Sequence, residues 1–309
     1  MILITGGTGA IGTELIKILA NADRPIRAMV RNPAKAGSIA FPGVQIVEGD
    51  FEDLASLDAA LSGVTKAFLL AAPTEHQLDH ETNFLKAAAN ANLEHIVKLS
   101  AMGASPDSPS RFLRGHGEAE LRLEESRIPW THLRPNQFMQ NLLGHRDSII
   151  QRGEFYAPAG DAKMSIVDIR DIAAVAVEVL AASPAHEWKR YTITGPEALT
   201  YAEVAGRLSF EVGKPVAYVD VPPETARAGM LQSGMSEWLA DGILELYALY
   251  KADLFSEVTD VVHHEGKKDP ITFAQFAHDY APQFGRNAPR DALGEVIDTL
   301  TLDNMTPGE

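Results

Sequence analysis

Apolar and polar positions follow two rhythms along the first half of the chain. Compact apolar runs at Ile2–Ile4, Pro25–Val30, Val44–Val47, Lys66–Pro73, His95–Ser100 and Trp130–Pro135 have the length and continuity of strands covered on both faces. Between them, Thr13–Ala20, Glu75–Asn92 and Arg111–Ser126 carry apolar residues at helical spacing. Regular alternation of this kind predicts an α/β fold, a doubly wound parallel sheet with right-handed crossovers. Ligands of such sheets bind at the carboxyl ends of the strands.

The pattern changes after residue 150. Asp168–Ala182 reads as an apolar helix, with Asp168 as its N-cap and Asp171 as a first-turn acid. Strands at Arg190–Thr194 and Val216–Val219 flank a helix at Tyr201–Val212, and these three are expected in a smaller lobe. From Pro222 to Gln283 the chain is largely helical; Trp238, Leu239, Ile243, Leu246 and Leu249 form an apolar face that either covers a pocket or meets a second subunit. Thr272–Tyr280 supplies the last helix. The expected division is a dinucleotide-binding Rossmann domain over 1–150, its sheet also receiving elements around 164–195, a smaller substrate-facing lobe over 151–285, and a tail over 286–309 with an apolar patch at Val296–Leu302.

The first strand runs into Gly6-Gly7-Thr8-Gly9-Ala10-Ile11-Gly12 and then a helix. Within it, Gly7 to Gly12 has the G-x-G-x-x-G spacing, which makes the tight turn, admits a pyrophosphate to the backbone and packs helix on strand. The phosphates are expected at the positive end of that helix. The second strand ends in Arg31 rather than an acid, which selects a ribose 2′-phosphate over a free 2′-OH and hence NADP(H); Lys35 is a candidate support. At the end of the third strand, Asp50 either accepts from the adenine amino group or caps the next helix, and Phe51 borders the ring. The small Ala71-Ala72-Pro73 suits close approach to the nicotinamide ribose, and Ser100 to Gly103 marks where cofactor and substrate would meet, with Met102 on the substrate side.

Composition narrows the chemistry. With no cysteine among the 309 residues, disulfides and thiolate chemistry are excluded. A net charge of −15 repels polyanions and argues against nucleic acid. No apolar run is long enough to span a membrane. With a strand beginning at Met1 no targeting peptide is expected, which points to the cytoplasm. His263-His264-Glu265 resembles a metal cluster, but adjacent side chains on an extended segment face opposite ways, so no metal site is expected.

Thr5–Gly12, Val30-Arg31-Asn32-Pro33, Glu48–Phe51 and Thr131-His-Leu-Arg-Pro-Asn136 together resemble the NmrA-like branch of the atypical short-chain dehydrogenase/reductases. Within it the chain is similar to the NADPH:quinone reductases and triphenylmethane-dye reductases. Gly153–Pro158, Ser165–Ala173 and Tyr191–Gly195 continue the resemblance in the expected order. It implies that Pro135 and Asn136 lie under the nicotinamide, and that Phe138 and Met139 line the substrate pocket.

One departure matters. The Tyr-x-x-x-Lys pair that short-chain dehydrogenases carry on the helix after the fifth strand is replaced by His116-Gly-Glu-Ala-Glu120; the match at Tyr247–Lys251 lies far away and is read as chance. Loss of that pair argues against alcohol oxidation and sugar epimerisation. It leaves open hydride transfer to a flat conjugated acceptor, which depends on proximity and stacking. His116 is the candidate proton donor, or else a packing histidine. The leading expectation is an NADPH-dependent reductase of a planar quinone-like or aromatic small molecule. Its alternatives are an NADP(H)-binding redox sensor acting on a regulatory protein partner and, less well supported, an NAD(P)-dependent epimerase or dehydratase; a homodimer fits any of these.

Overall fold

The computed structural model describes residues 1–22 and 24–286, so the 287–309 stretch of the tail lies outside the described residues. The strands are β1 (Ile2–Ile4), β2 (Ile26–Val30), β3 (Val44–Glu48), β4 (Lys66–Leu69), β5 (His95–Leu99), β6 (Trp130–Pro135), β7 (Glu154–Ala157), β8 (Lys189–Ile193) and β9 (Ala217–Asp220). The helices are α1 (Ala10–Asn21), α2 (Leu54–Leu61), α3 (Gln77–Ala88), α4 (Arg111–Glu125), α5 (Arg146–Arg152), α6 (Ile169–Ala181), α7 (Ser183–His186), α8 (Tyr201–Val212), α9 (Pro223–Gln232), α10 (Glu237–Lys251), α11 (Val261–His264) and α12 (Phe273–Tyr280).

β3, β2, β1, β4, β5, β6 and β8 form one seven-stranded sheet in that order, every neighbouring pair parallel. The period-two alternation of each strand assigns its side chains to two cores. Ile2, Ile4, Phe68, Val97 and Leu133 face α1 and α6. Leu3, Ala67, Leu69 and Ile96 face α2 and α3 on the opposite side. Strand order reverses between β1 and β4, so the connections leaving their carboxyl ends run in opposite directions and leave a crevice there.

Arg190–Thr194, expected both in the smaller lobe and within the stretch around 164–195 that joins the main sheet, pairs with β6, Leu133 opposite Tyr191 and Pro135 opposite Ile193. Tyr191 and Ile193 bury themselves in the α1/α6 core, which a strand in the small lobe could not reach. β7 and β9 pair in parallel as a separate two-stranded sheet. With α5, α8, α10 and α12 they enclose a third apolar core around Phe155, Tyr201, Phe273 and Phe276.

Helix boundaries shift where local hydrogen bonding decides them. α1 starts at Ala10 rather than Thr13, which places Gly12 inside the helix. α3 starts at Gln77 rather than Glu75, because Gln77 N–H closes a turn on the Thr74 carbonyl first. Asp168 caps α6 by accepting from the Arg170 N–H, and Asp171 follows in the first turn. The 263–265 segment is not extended: Val261–His264 is a helical turn. There His264 pairs with Asp260, His263 with Asp269 and Glu265 with His186. No helix among the described residues is long and apolar enough to cross a membrane.

Candidate functional site

The crevice begins with a side-chain staple. The Thr5 hydroxyl accepts from the Leu70 N–H at 2.8 Å and donates to the Leu70 carbonyl at 3.0 Å, tying the ends of β1 and β4 together. The chain then turns at Gly6, whose φ of +63° favours glycine. Gly12 lies against that turn: a Cβ on it would sit 2.3 Å from the Gly6 carbonyl oxygen. Helix and loop are therefore packed backbone to backbone. Thr8, Gly9 and Ala10 are exposed, and no side chain caps the start of α1. Helix N–H groups without a cap are an anion cradle, and these residues fit a dinucleotide pyrophosphate.

Arg31 and Lys35 are exposed just beyond β2, where Asn32 accepts from the Ala34 N–H and tightens the turn. Beyond β3, the cap of α2 is Asp53, which accepts from the Ala55 N–H at 3.0 Å. Asp50 stays outside that helix, its Oδ1 receiving the Glu52 N–H at 3.0 Å and its own N–H held by Ser56 Oγ at 2.9 Å. Phe51 is engaged by packing: its ring stacks on His80 at 5.7 Å and meets Phe84 edge-on. Past β4, Ala71 is buried while Ala72 and Pro73 are exposed.

Main-chain bonds hold the ends of β5 and β6 side by side, Ser100 N–H to the Leu133 carbonyl and Met102 N–H to that of Pro135. Ser100 and Pro135 are thus neighbours across the sheet edge. The Ser100 hydroxyl donates to Glu120 Oε1 at 2.5 Å, and Glu120 also receives two bonds from Arg134. Asn136 is 3% exposed; its amide donates to Ser165 Oγ and to the Phe255 carbonyl, each at 2.9 Å, which stitches the sheet edge to the smaller lobe. Met102 is buried in the small-lobe core.

His116 is half-buried and turned toward Lys98 and Gln77. Burial, then the positive charge of Lys98, push its pKa well below the usual histidine range. Its Nδ1 lies 3.3 Å from Lys98 Nζ and 3.2 Å from Gln77 Nε2. Both neighbours are donors, so with Nδ1 accepting the neutral ring carries its single proton on Nε2, which itself lies 3.5 Å from Gln77 Nε2. Lys98 itself is fully buried and paired with Glu81 at 2.8 Å.

Among the described residues, Glu120, Glu124 and His132 bring ligand atoms within 4.8 Å of one another. Arg134 binds the Glu120 carboxylate and Arg190 binds that of Glu124. Two guanidinium groups already neutralise the cluster, so it reads as an ion-pair network.

Below the β6 edge a narrow recess enters the smaller lobe. It holds about 350 Å³ of empty space counting its mouth. Phe138 and Met139 line it. So do Gln137, His145, Tyr201 and Tyr247, which sequence reasoning did not select. Gln137 Nε2 donates to the Tyr201 hydroxyl at 2.7 Å, and that hydroxyl lies 3.3 Å from the hydroxyl of Tyr247. Burial pushes both phenols up, Tyr247 well above its ordinary value, and pushes His145 down.

Tyr247 arrives there because α10 is clamped onto α4. Glu245 takes the Arg111 guanidinium at 2.7 Å and the Arg111 N–H at 2.8 Å, and the Phe112 ring lies so close to Gly242 that a Cβ there would come within 2.4 Å. Lys251, the other half of the Tyr-x-x-x-Lys match, is exposed beside Gly160. The tyrosine reaches the recess without its lysine.

Known proteins place this architecture. The model of the NmrA-like family matches residues 1–277. The chain belongs to that family. It is 43% identical over 285 residues to the NAD(P)H azoreductase of Xenophilus azovorans, covering 92% of this chain and 99% of that protein. The NADPH complex of the NADPH-dependent quinone oxidoreductase QOR2 of Escherichia coli superposes with a TM-score of 0.83 at 29% identity, over 90% of this chain and 99% of the other. The NADP(H) complex of the Citrobacter triphenylmethane reductase gives 0.81 at 26% identity, over 91% and 100%.

Proposed function

We propose that this NmrA-like protein is an NADPH-dependent oxidoreductase that reduces planar quinone-like or aromatic acceptors. The observation that carries the reading is the packing at Gly12 and Gly6, which leaves the uncapped start of α1 open beside an exposed Arg31. Gly6 to Gly12 would hold the pyrophosphate, Arg31 the 2′-phosphate, Asp50 the adenine end, and Ala71 to Pro73, Ser100, Pro135 and Asn136 the nicotinamide end. When bound, the nicotinamide supplies hydride.

The acceptor's side of the site follows from what this chain lacks and what it presents. On α4, Glu120 is committed to Ser100 and Arg134 and His116 is neutral, so no strong base awaits an alcohol substrate. The recess instead offers Phe138 and Met139 as an apolar wall. His116, held neutral, offers its one N–H as a hydrogen-bond donor rather than as an acid, so water is the source of the proton that a reduced acceptor takes up. The azoreductase, the quinone oxidoreductase and the triphenylmethane reductase among its relatives all bear names of the same acceptor type.

The test is consumption of NADPH with a panel of quinones, azo dyes and triphenylmethane dyes, with His116→Ala alongside. Turnover of at least one acceptor is expected. Tight NADPH binding without any turnover would replace this reading by that of a cofactor sensor. Turnover surviving in His116→Ala assigns the proton to another source.

A further inference from the structure

Among the described residues, one acceptor and one hydroxyl proton in the recess have no protein partner. Gln137 gives its amide N–H to Tyr201, while its Oε1 is buried with no partner among the described residues. Tyr201, having accepted from Gln137, lies 3.3 Å from the Tyr247 hydroxyl, and either hydroxyl of the pair can donate to the other. One proton of the pair is left to point elsewhere, and when Tyr201 donates it is that of Tyr247. Buried polar groups without partners are costly, and a pocket that retains them is built for a ligand that completes them.

We infer that Tyr247 Oη and Gln137 Oε1 read the oxygen substituents of the electron acceptor, with Tyr201 positioning both; this rests on the reductase reading above. The substrate class is then narrower: flat rings bearing a carbonyl, as quinones do, in preference to cationic dyes that carry neither a carbonyl nor an O–H. The oxidised ligand offers a carbonyl oxygen to the Tyr247 O–H. The reduced ligand offers a new O–H, which is what Gln137 Oε1 lacks. Both contacts are complete only as the acceptor oxygen gains its proton, and contacts that strengthen toward the transition state speed the step. Because burial holds Tyr247 well above its ordinary pKa, its proton stays in place as a hydrogen-bond donor.

The experiment compares Tyr247→Phe with the unaltered protein on menadione, a quinone, and on crystal violet, which offers no hydrogen-bonding oxygen. Loss of a single buried hydrogen bond to substrate is worth about tenfold or more. The expected result is that drop in kcat/KM for menadione, with crystal violet changed less than about twofold. A variant that merely loosens the recess would lower both, and equal losses, or none, overturn the inference while leaving the reductase reading intact. Tyr201→Phe should reproduce the menadione loss in part, since it removes the support and not the contact. Where either compound is not turned over, its binding to the NADP⁺-loaded protein, followed by tryptophan fluorescence, makes the same comparison. Weaker menadione binding alone supports the inference; any other pattern overturns it. Failure to consume NADPH with both compounds counts separately, against the reductase reading.

Discussion

A Cβ on Gly12 would lie 2.3 Å from the carbonyl oxygen of Gly6, and 2.8 Å from the Cα of Gly7. Both neighbours are main chain, which cannot rotate aside as a side chain can. Gly12→Ala therefore has to push α1 off β1, and overpacking of this kind costs about 1–3 kcal/mol. Thermal unfolding should show a lower Tm, and the variant should also fail to gain stability on adding NADPH, because the displaced helix no longer presents its N–H groups. An unchanged response to NADPH would mean that the phosphates are held elsewhere.

Arg31 is exposed past β2 and should discriminate between the two nicotinamide cofactors. Arg31→Ala is expected to weaken NADPH by about tenfold or more, the worth of a charge-assisted hydrogen bond to phosphate, while NADH changes little. Titrating both cofactors by fluorescence checks this, and parallel losses would remove the 2′-phosphate assignment.

Acid should unfold this protein through its histidines. His95 and His132 are both fully buried; burial first, and nearby cations second, bring their pKa values down to about 4 and about 2. Each is depressed relative to the unfolded chain, where histidine titrates near 6.5. Their neutral forms stabilise the fold above that pH, and below it the unfolded state takes up the proton first. Stability should fall as pH drops from about 6.5 toward 4, by about 1.4 kcal/mol per pH unit for each histidine. Urea midpoints measured across that range should drop steadily, and His132→Gln should flatten the slope.

Lys98 and Glu81 form a buried pair at 2.8 Å, and the two members are not equivalent to remove together or singly. Glu81→Gln leaves an ammonium buried without a counter-charge, at about 3–5 kcal/mol. Replacing both with methionine should cost less than the single change. Equilibrium unfolding of the two variants beside the unaltered protein checks that order.

Local chemistry was legible in the chain. Strand runs, the glycine turn and the Asp168 cap all depend on neighbours a few residues away, and the structure places them as read. What escaped depends on residues brought together from afar. Gln137 meets Tyr201 across 64 positions, Tyr201 meets Tyr247 across 46, and Arg111 clamps Glu245 across 134. Tyr247 carried a visible signal, its match to Tyr-x-x-x-Lys, but that pattern presumes a helix beside the fifth strand. α10 reaches the site only by resting on α4, which no local periodicity encodes. The 263–265 turn was missed for the opposite reason, since four residues are too few for a helical period to show. His116 was selected by its place on the helix, and its neutrality follows from Lys98, eighteen residues earlier on a different element.

The order of strands along the chain also constrains how the molecule is made. β7 of the smaller lobe precedes β8, the last strand of the main sheet, and β9, the partner of β7, follows it. As the polypeptide leaves the ribosome, the first six strands emerge with one edge still bare beside β6. A strand of the other lobe comes out next and waits, unpaired, until Ala217 to Asp220 arrive. Neither lobe can finish alone, so a nascent chain halted near residue 150 carries an open sheet edge, the kind of surface to which another copy or a chaperone binds.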